Sequence, residues 1–222
     1  MLRLLAVTLL LSACHRGLRF PGPLDSLRDY ASEAPAQVPQ ASAPPADTAP
    51  LPVAPRAASG GRAVAAGAAA LVERDRLVVD GERFRYDCSG MVSAAYASAG
   101  ITIGGGSRDM HARAEQAGLL HTRSRPVPGD IAFFDNTYDR DRDGRRDDML
   151  THVGVVESVD SDGTISVVHL GSKGVKRLRM NLERPADPAV NSQLRATNGR
   201  DGGPVLAGQL WRDFGSLWKI SA

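Results

Sequence analysis

Cys88 stands in the run Tyr86-Asp87-Cys88-Ser89-Gly90 and is one of only two cysteines in the 222-residue chain. The other, Cys14, ends a short apolar leader, so Cys88 is the one thiol available to a folded domain. A lone thiol just ahead of a helix-like segment, with histidines downstream, has the pattern of a nucleophile rather than of a disulfide partner. A helix N-terminus and a nearby imidazole both favour the thiolate. Ser89 and Gly90 are small, which leaves room for a carbonyl group to approach. The amide of Cys88 itself is a candidate donor to a developing oxyanion.

Two of the five histidines are placed to serve that thiol. His152 opens the strand-like run Thr151 to Val156, and His169 closes the run Ser166 to His169. A hairpin turning at Asp162-Gly163 brings the two rings close across the ladder. One ring then acts as base and the other holds it in the right tautomer; spacing alone does not say which. His111 and His121 lie in less regular surroundings and read as bystanders.

A third group of residues has the pattern of a cation site. Asp139, Asp141, Asp143 and Gly144 match the opening of a calcium loop, in which alternate carboxylates converge on one hard ion. Asp147 falls at the ninth position. Leu150 stands at the twelfth, where a full loop has a bidentate glutamate. The competing reading is an Asp/Arg loop neutralised by solvated ion pairs, which contribute little. The loop lies between Phe134 and His152, so it is expected to form one wall of the cleft.

The elements that must carry these groups are legible in outline. Residues 62–74 are alanine-rich and predict a helix. Residues 77–84 surround Asp80-Gly81 as a hairpin would. Met91, Val92, Ala95 and Tyr96 fall at helical spacing between Cys88 and Gly100, and residues 108–117 predict a third helix. Beyond Gly118 the period changes. Strands are expected at 131–134, 151–159 and 165–170, with another at 175–180. Trp211, Phe214, Leu217 and Trp218 are expected to close over the core. Helices first and strands afterwards imply an α+β domain with an antiparallel sheet.

Upstream of that domain, Met1-Leu2-Arg3 and the apolar run Leu4 to Leu11 read as a secretory leader, too short to span a bilayer. Leu11-Ser12-Ala13-Cys14 resembles a bacterial lipobox, which makes Cys14 a lipidation site. His15 rather than aspartate after it favours outer-membrane sorting, with the protein facing the periplasm. Nine of the fourteen prolines lie between Pro21 and Pro55, where neither helix nor sheet can propagate. The organisation expected is therefore a leader at 1–14, a Pro/Ala-rich tether at 15–61 and a catalytic domain at 62–222. A formal charge of +2 gives no electrostatic footprint for nucleic acid, and a monomer is expected.

Four blocks in order resemble the NlpC-type cell-wall peptidases, papain-like cysteine amidases of bacteria. They are Tyr86-Asp87-Cys88-Ser89-Gly90-Met91-Val92, Gly129 to Phe134, His152 to Val156, and His169. The resemblance covers roughly residues 62–180. It implies a papain-like fold, with N-terminal helices packed on a small antiparallel sheet. It implies Cys88 as nucleophile, His152 as general base and His169 as the third polar residue, with no cofactor needed for catalysis. It implies cleavage of peptide bonds in peptidoglycan stem peptides. It also implies contacts from Asp87 and Ser89 to the free amine of the stem peptide, and a place for Tyr86 beside the oxyanion. One departure is the absence of an aromatic-x-x-Gly-Gly run before the cysteine, where Asp80-Gly81-Glu82-Arg83 stands. Acyl transfer on the same fold, and a wall-binding lipoprotein without turnover, are the alternative functions.

Overall fold

A computed structural model of the protein describes residues 56–196 and 203–220. The leader, Cys14 and residues 15–55 of the expected tether lie outside the described residues. The first element, α1 (Arg56–Ala70), starts before the expected boundary at residue 62 and ends before residue 74. Alanine carries the highest helix propensity, and the alanines of residues 57–58 already favour the helix there. Two short strands, β1 (Val78–Val79) and β2 (Glu82–Arg83), pair about Asp80-Gly81 as expected.

Helix α2 (Cys88–Ala97) is the centre of the domain, with every residue from Ser89 to Tyr96 buried. Its start is fixed by Asp87, an extended N-cap whose carboxylate accepts the Gly90 N–H at 2.7 Å. Such a cap satisfies a backbone donor that the helix cannot. A helix buried on all sides needs small residues where other chain segments cross it. Gly90 is the tightest case: a Cβ there would lie 1.9 Å from the Arg85 carbonyl oxygen. Helix α3 (Ser107–Gln116) follows and agrees with expectation to one residue at each end.

Six strands form one antiparallel sheet: β3 (Leu120–His121), β4 (Ile131–Phe134), β5 (His152–Val159), β6 (Ile165–Gly171), β7 (Gly174–Met180) and β8 (Trp211–Gly215). A four-residue helix, α4 (Ala207–Leu210), leads directly into β8. The spatial order is β3-β8-β4-β5-β6-β7. Each face of the sheet is covered. Met91, Val92, Phe133, Val153, Val155 and Val168 share one core with α1 and α2. Phe134, Val156, Val167, Met180, Leu210 and Phe214 share the other with α4.

Strands β3 and β8 are additional to those that the sequence predicts. Residues 211–215 were expected only to close over the core, yet they form a strand between β3 and β4. Trp-Arg-Asp-Phe-Gly lacks period-2 alternation, so nothing local marks it as a strand. The reason is tertiary: β4 is wholly buried, and its second edge needs a hydrogen-bonding partner.

His111 and His121 help close this arrangement. Asp130 is fully buried. It accepts hydrogen bonds from the Val127 N–H at 2.9 Å, Ser216 Oγ at 2.7 Å and Trp218 Nε1 at 2.8 Å, and pairs with His121 at 3.1 Å. His111 Nε2 meets Asp213 Oδ2 at 2.9 Å and sets its ring edge-on to Phe133. His111 ties α3 to the sheet and His121 ties β3 to the Asp130 turn, so both rings have structural partners.

Candidate active site

Cys88 is the first residue of α2, half-buried and unpaired with any other cysteine. Backbone N–H groups of Val153, Ser89 and Cys88 itself bear on the sulfur, and each favours the thiolate. Burial outweighs them and pushes the thiol above its ordinary value, with the carboxylate of Asp87 adding to the rise. The resting sulfur is therefore a thiol that needs a base. Val153 directly follows His152, so the contact with its N–H ties the sulfur to the start of β5.

His152 and His169 are brought together as expected. His152 Nε2 lies 2.9 Å from His169 Nδ1, with the rings nearly perpendicular and their centroids 5.1 Å apart. The strand ladder makes this possible. In the β5–β6 register Val155 faces Val168, so His152 and His169 lie diagonally across the hairpin. Between them Gly154 leaves the space that the rings need. A Cβ at Gly154 would lie 2.6 Å from Val167 Cγ1, 2.8 Å from Val168 O and 3.2 Å from His169 Cβ.

Both rings are held neutral. Burial, together with the positive charge His169 would carry, lowers His152 to about 3. Burial alone lowers His169 to about 4. In the unfolded chain both rings take a proton near 6.5. Between these limits the unfolded state binds more protons, so falling pH favours it. The stability contributed by the neutral pair is fully present above pH 6.5 and is lost progressively as pH falls from 6.5 through about 4 towards 3. Denaturant midpoints measured from pH 7.5 to 4 should fall, and a His152→Asn/His169→Asn double variant should flatten that slope.

His152 Nε2 is occupied by His169, which leaves Nδ1 as the nitrogen free to serve Cys88. For Nδ1 to be basic, the proton must sit on Nε2 and be donated to His169 Nδ1. That assignment makes His169 an acceptor and fixes the tautomer of His152. A thiol, a base with its tautomer fixed and a helix N-terminus together suit acyl transfer from an amide.

The cleft around these groups has a volume of about 660 Å³ and is lined by Tyr86, Asp87, Cys88, Tyr138, His152 and His169 among others. The residues flanking Cys88 are engaged in the protein's own bonds. Asp87 caps α2 and pairs with Arg85 at 3.1 Å. Ser89 is buried; its hydroxyl donates to Asp87 Oδ1 at 3.0 Å and accepts from Arg85 Nη2 at 3.0 Å. Tyr86 is half exposed and donates to the Arg74 carbonyl at 2.8 Å.

The Asp-rich loop forms part of the cleft wall, through Thr137 and Tyr138. Thr137 is anchored to Thr151, the residue before His152, by hydrogen bonds of 3.0 Å from its N–H and 2.9 Å between the hydroxyls. The carboxylates that converge are Asp139, Asp141 and Asp148, whose oxygens lie within 4.8 Å of one another. Asp143 and Asp147, expected as ligands from loop spacing, fall outside this group. Asp143 instead accepts the Arg145 N–H at 2.8 Å. Asp148 sits at the tenth position, which strict loop numbering does not nominate.

Residues 79–170 match the CHAP domain, a cysteine/histidine-dependent amidohydrolase/peptidase. The matched span contains Cys88, His152 and His169. A solved structure from Staphylococcus aureus subsp. aureus Mu50, described as similar to a lipoprotein of the NLP/P60 family, aligns at 22% identity with a TM-score of 0.34. That alignment covers 59% of this chain, and this chain spans 39% of the other's length. No curated protein matches the chain.

Proposed function

We propose, from the match of residues 79–170 to the CHAP domain, that this protein hydrolyses peptide bonds in peptidoglycan stem peptides. The observation that carries the reading is the His152 Nε2 to His169 Nδ1 contact of 2.9 Å in the cleft that Cys88 lines.

In this reading His152 Nδ1 takes the proton of the Cys88 thiol as sulfur bonds to the scissile carbonyl carbon. Negative charge collects on the carbonyl oxygen, near the positive end of α2, where the Cys88 N–H is the candidate donor. The C–N bond breaks, and the leaving amine takes the proton from His152. A water molecule then gives its proton to His152 and adds to the thioester. The C–S bond breaks, and the thiol is restored. His169 accepts the Nε2 proton throughout and keeps Nδ1 facing the sulfur. The raised thiol and the lowered imidazole describe a neutral resting pair that becomes charged only as the reaction proceeds.

Purified protein and defined stem peptides in ¹⁸O-water test the reaction. Hydrolysis places one ¹⁸O in the new carboxylate, and release of peptide without the label would instead mean transfer to another acceptor. By the same reading Cys14 carries the lipid, the protein faces the periplasm from the outer membrane, and the Pro-rich segment tethers the domain. Growth on labelled palmitate tests the anchor, since a Cys14→Ala variant should incorporate none.

The Asp-rich loop is assigned a structural calcium ion with no part in bond cleavage. Asp139, Asp141 and Asp148 converge, and both Asp139 Oδ1 and Asn136 Oδ1 are buried without a protein partner. Oxygen-only donors of this kind suit calcium. Calcium should raise the melting temperature of the wild type, since a ligand bound only by the folded state stabilises it. Asp139→Asn should remove the rise; an equal rise in that variant would exclude this loop as the site.

A further inference from the structure

The charges along the cleft do not balance. Asp87, Lys173, Lys176 and Arg177 are its charged lining residues besides the two neutral histidines. Asp87 is paired with Arg85 at 3.1 Å, Lys176 with Glu73 at 2.5 Å and Arg177 with Glu157 at 2.6 Å. Arg177 binds Glu157 through two nitrogens, and that contact holds the Glu157 carboxyl below its usual range. Among the described residues Lys173 is the charged lining group with no counter-ion.

Its position is set by the β6–β7 turn. That turn begins two residues after His169 and is Gly171-Ser172-Lys173-Gly174. On one side Gly171 lies against the His169 ring, so close that a Cβ would stand 3.1 Å from Cε1. On the other side a Cβ at Gly174 would stand 3.3 Å from the Tyr86 hydroxyl. The hairpin tip is thus wedged between the third member of the triad and the residue two before Cys88. Lys173 is exposed at this tip and lines the same cleft as Cys88, His152 and His169.

We propose that Lys173 is a specificity-determining residue that selects substrates carrying a free carboxylate close to the scissile amide. The inference rests on the amidase reading and names a feature of the substrate that the triad alone does not. An ammonium group on a flexible stem meets a carboxylate as a point charge and does not need the fixed geometry of an arginine fork. The unpaired charge also raises the local concentration of anionic peptides, an effect that falls with salt. A peptide in which that carboxylate is amidated loses the contact and keeps everything else.

The test uses one stem peptide in two forms, with the free carboxylate and with its carboxamide. Cleavage is measured for the wild type and for Lys173→Gln, and binding of both peptides is measured on Cys88→Ala. The wild type should favour the free acid by about tenfold in kcat/KM, as expected for a hydrogen bond to a charged group. Lys173→Gln should bring the ratio near one, and Lys173→Glu should invert it. Raised salt should shrink the wild-type ratio, while Arg123→Gln, on an exposed loop outside the cleft, should keep it. Cleavage with equal rates for acid and amide, or a preference that survives Lys173→Gln, would overturn the inference and leave the amidase reading intact. If neither peptide is cleaved, the amidase reading fails, and the binding ratio on Cys88→Ala then decides: equal affinities overturn the inference too, while tighter binding of the acid sustains it.

Discussion

Cys88→Ala should abolish peptide release while leaving the fold intact. Alanine keeps the helix start and the Asp87 cap, because that cap bonds Gly90 and not the cysteine. Only the sulfur is lost, and with it the site at which the acyl group is carried. The two histidines are expected to follow in graded order. His152→Ala removes the proton carrier and should lower kcat by roughly 10²–10⁴. His169→Ala leaves His152 free to rotate and to hold its proton on the wrong nitrogen. His169→Asn restores an acceptor for the Nε2 proton and should recover part of that loss. A merely structural role for His169 would not separate the asparagine from the alanine variant. Steady-state kinetics together with circular dichroism on all four variants make the comparison. The contact behind it is the 2.9 Å bond between His152 Nε2 and His169 Nδ1.

Gly90→Ala is expected to be nearly as damaging, by a different route. A methyl group at residue 90 would stand 1.9 Å from the Arg85 carbonyl oxygen and 2.8 Å from its carbon. Both are backbone atoms, so no rotamer change relieves the clash. Either α2 shifts along its axis or residues 83–87 move away. Both responses displace Asp87 from the cap and Cys88 from the Val153 N–H. Alanine is ordinarily the better helix former by about 1 kcal/mol, so simple propensity predicts stabilisation. Steric overlap with backbone outweighs that gain, and overpacking of this kind costs roughly 1–3 kcal/mol or more. Thermal melts and Cys88 alkylation rates should both change. A variant with an unchanged melting temperature and unchanged activity would mean that residues 85 and 90 are not in the contact described.

The two predictions depend on parts of the site that differ in how openly the sequence displays them. Cys88 and His152 are visible because each opens a periodic segment, and His169 because it stands near the end of one. The end of an element is where a side chain reaches a cleft without breaking the core. The Asp80-Gly81 hairpin, α2 and α3 are visible for the same local reason, since turn chemistry and apolar spacing both act over a few residues. The strand at 211–215 is hidden because its pairing is decided by β4, some eighty residues upstream. The grouping of Asp148, rather than Asp147, with Asp139 and Asp141 is hidden because the Asp-rich loop folds back on Thr151. Gly154 and Gly90 look interchangeable with any other glycine until their neighbours are known. The balance of charge along the cleft is hidden as well, because each partner comes from a different segment: Glu73 from the end of the first helical region, Glu157 from β5 and Lys173 from the β6–β7 turn.

The resting state described here also separates this site from one that stores a ready-made thiolate. Burial raises the thiol and lowers both rings. In the proposed reaction, ionisation of Cys88 is therefore coupled to substrate, whose carbonyl carbon removes the negative charge from sulfur as it forms.

The most direct measurement is the intact mass of the protein, acid-quenched milliseconds to seconds after mixing with a defined stem peptide. The account predicts an adduct equal to the acyl half of the peptide, mapped to the fragment that contains Cys88 and released by hydroxylamine. Cys88→Ala should show none, and His169→Ala should accumulate it more slowly. Product release at full rate with no adduct on Cys88, together with undiminished turnover by Cys88→Ala, would contradict it.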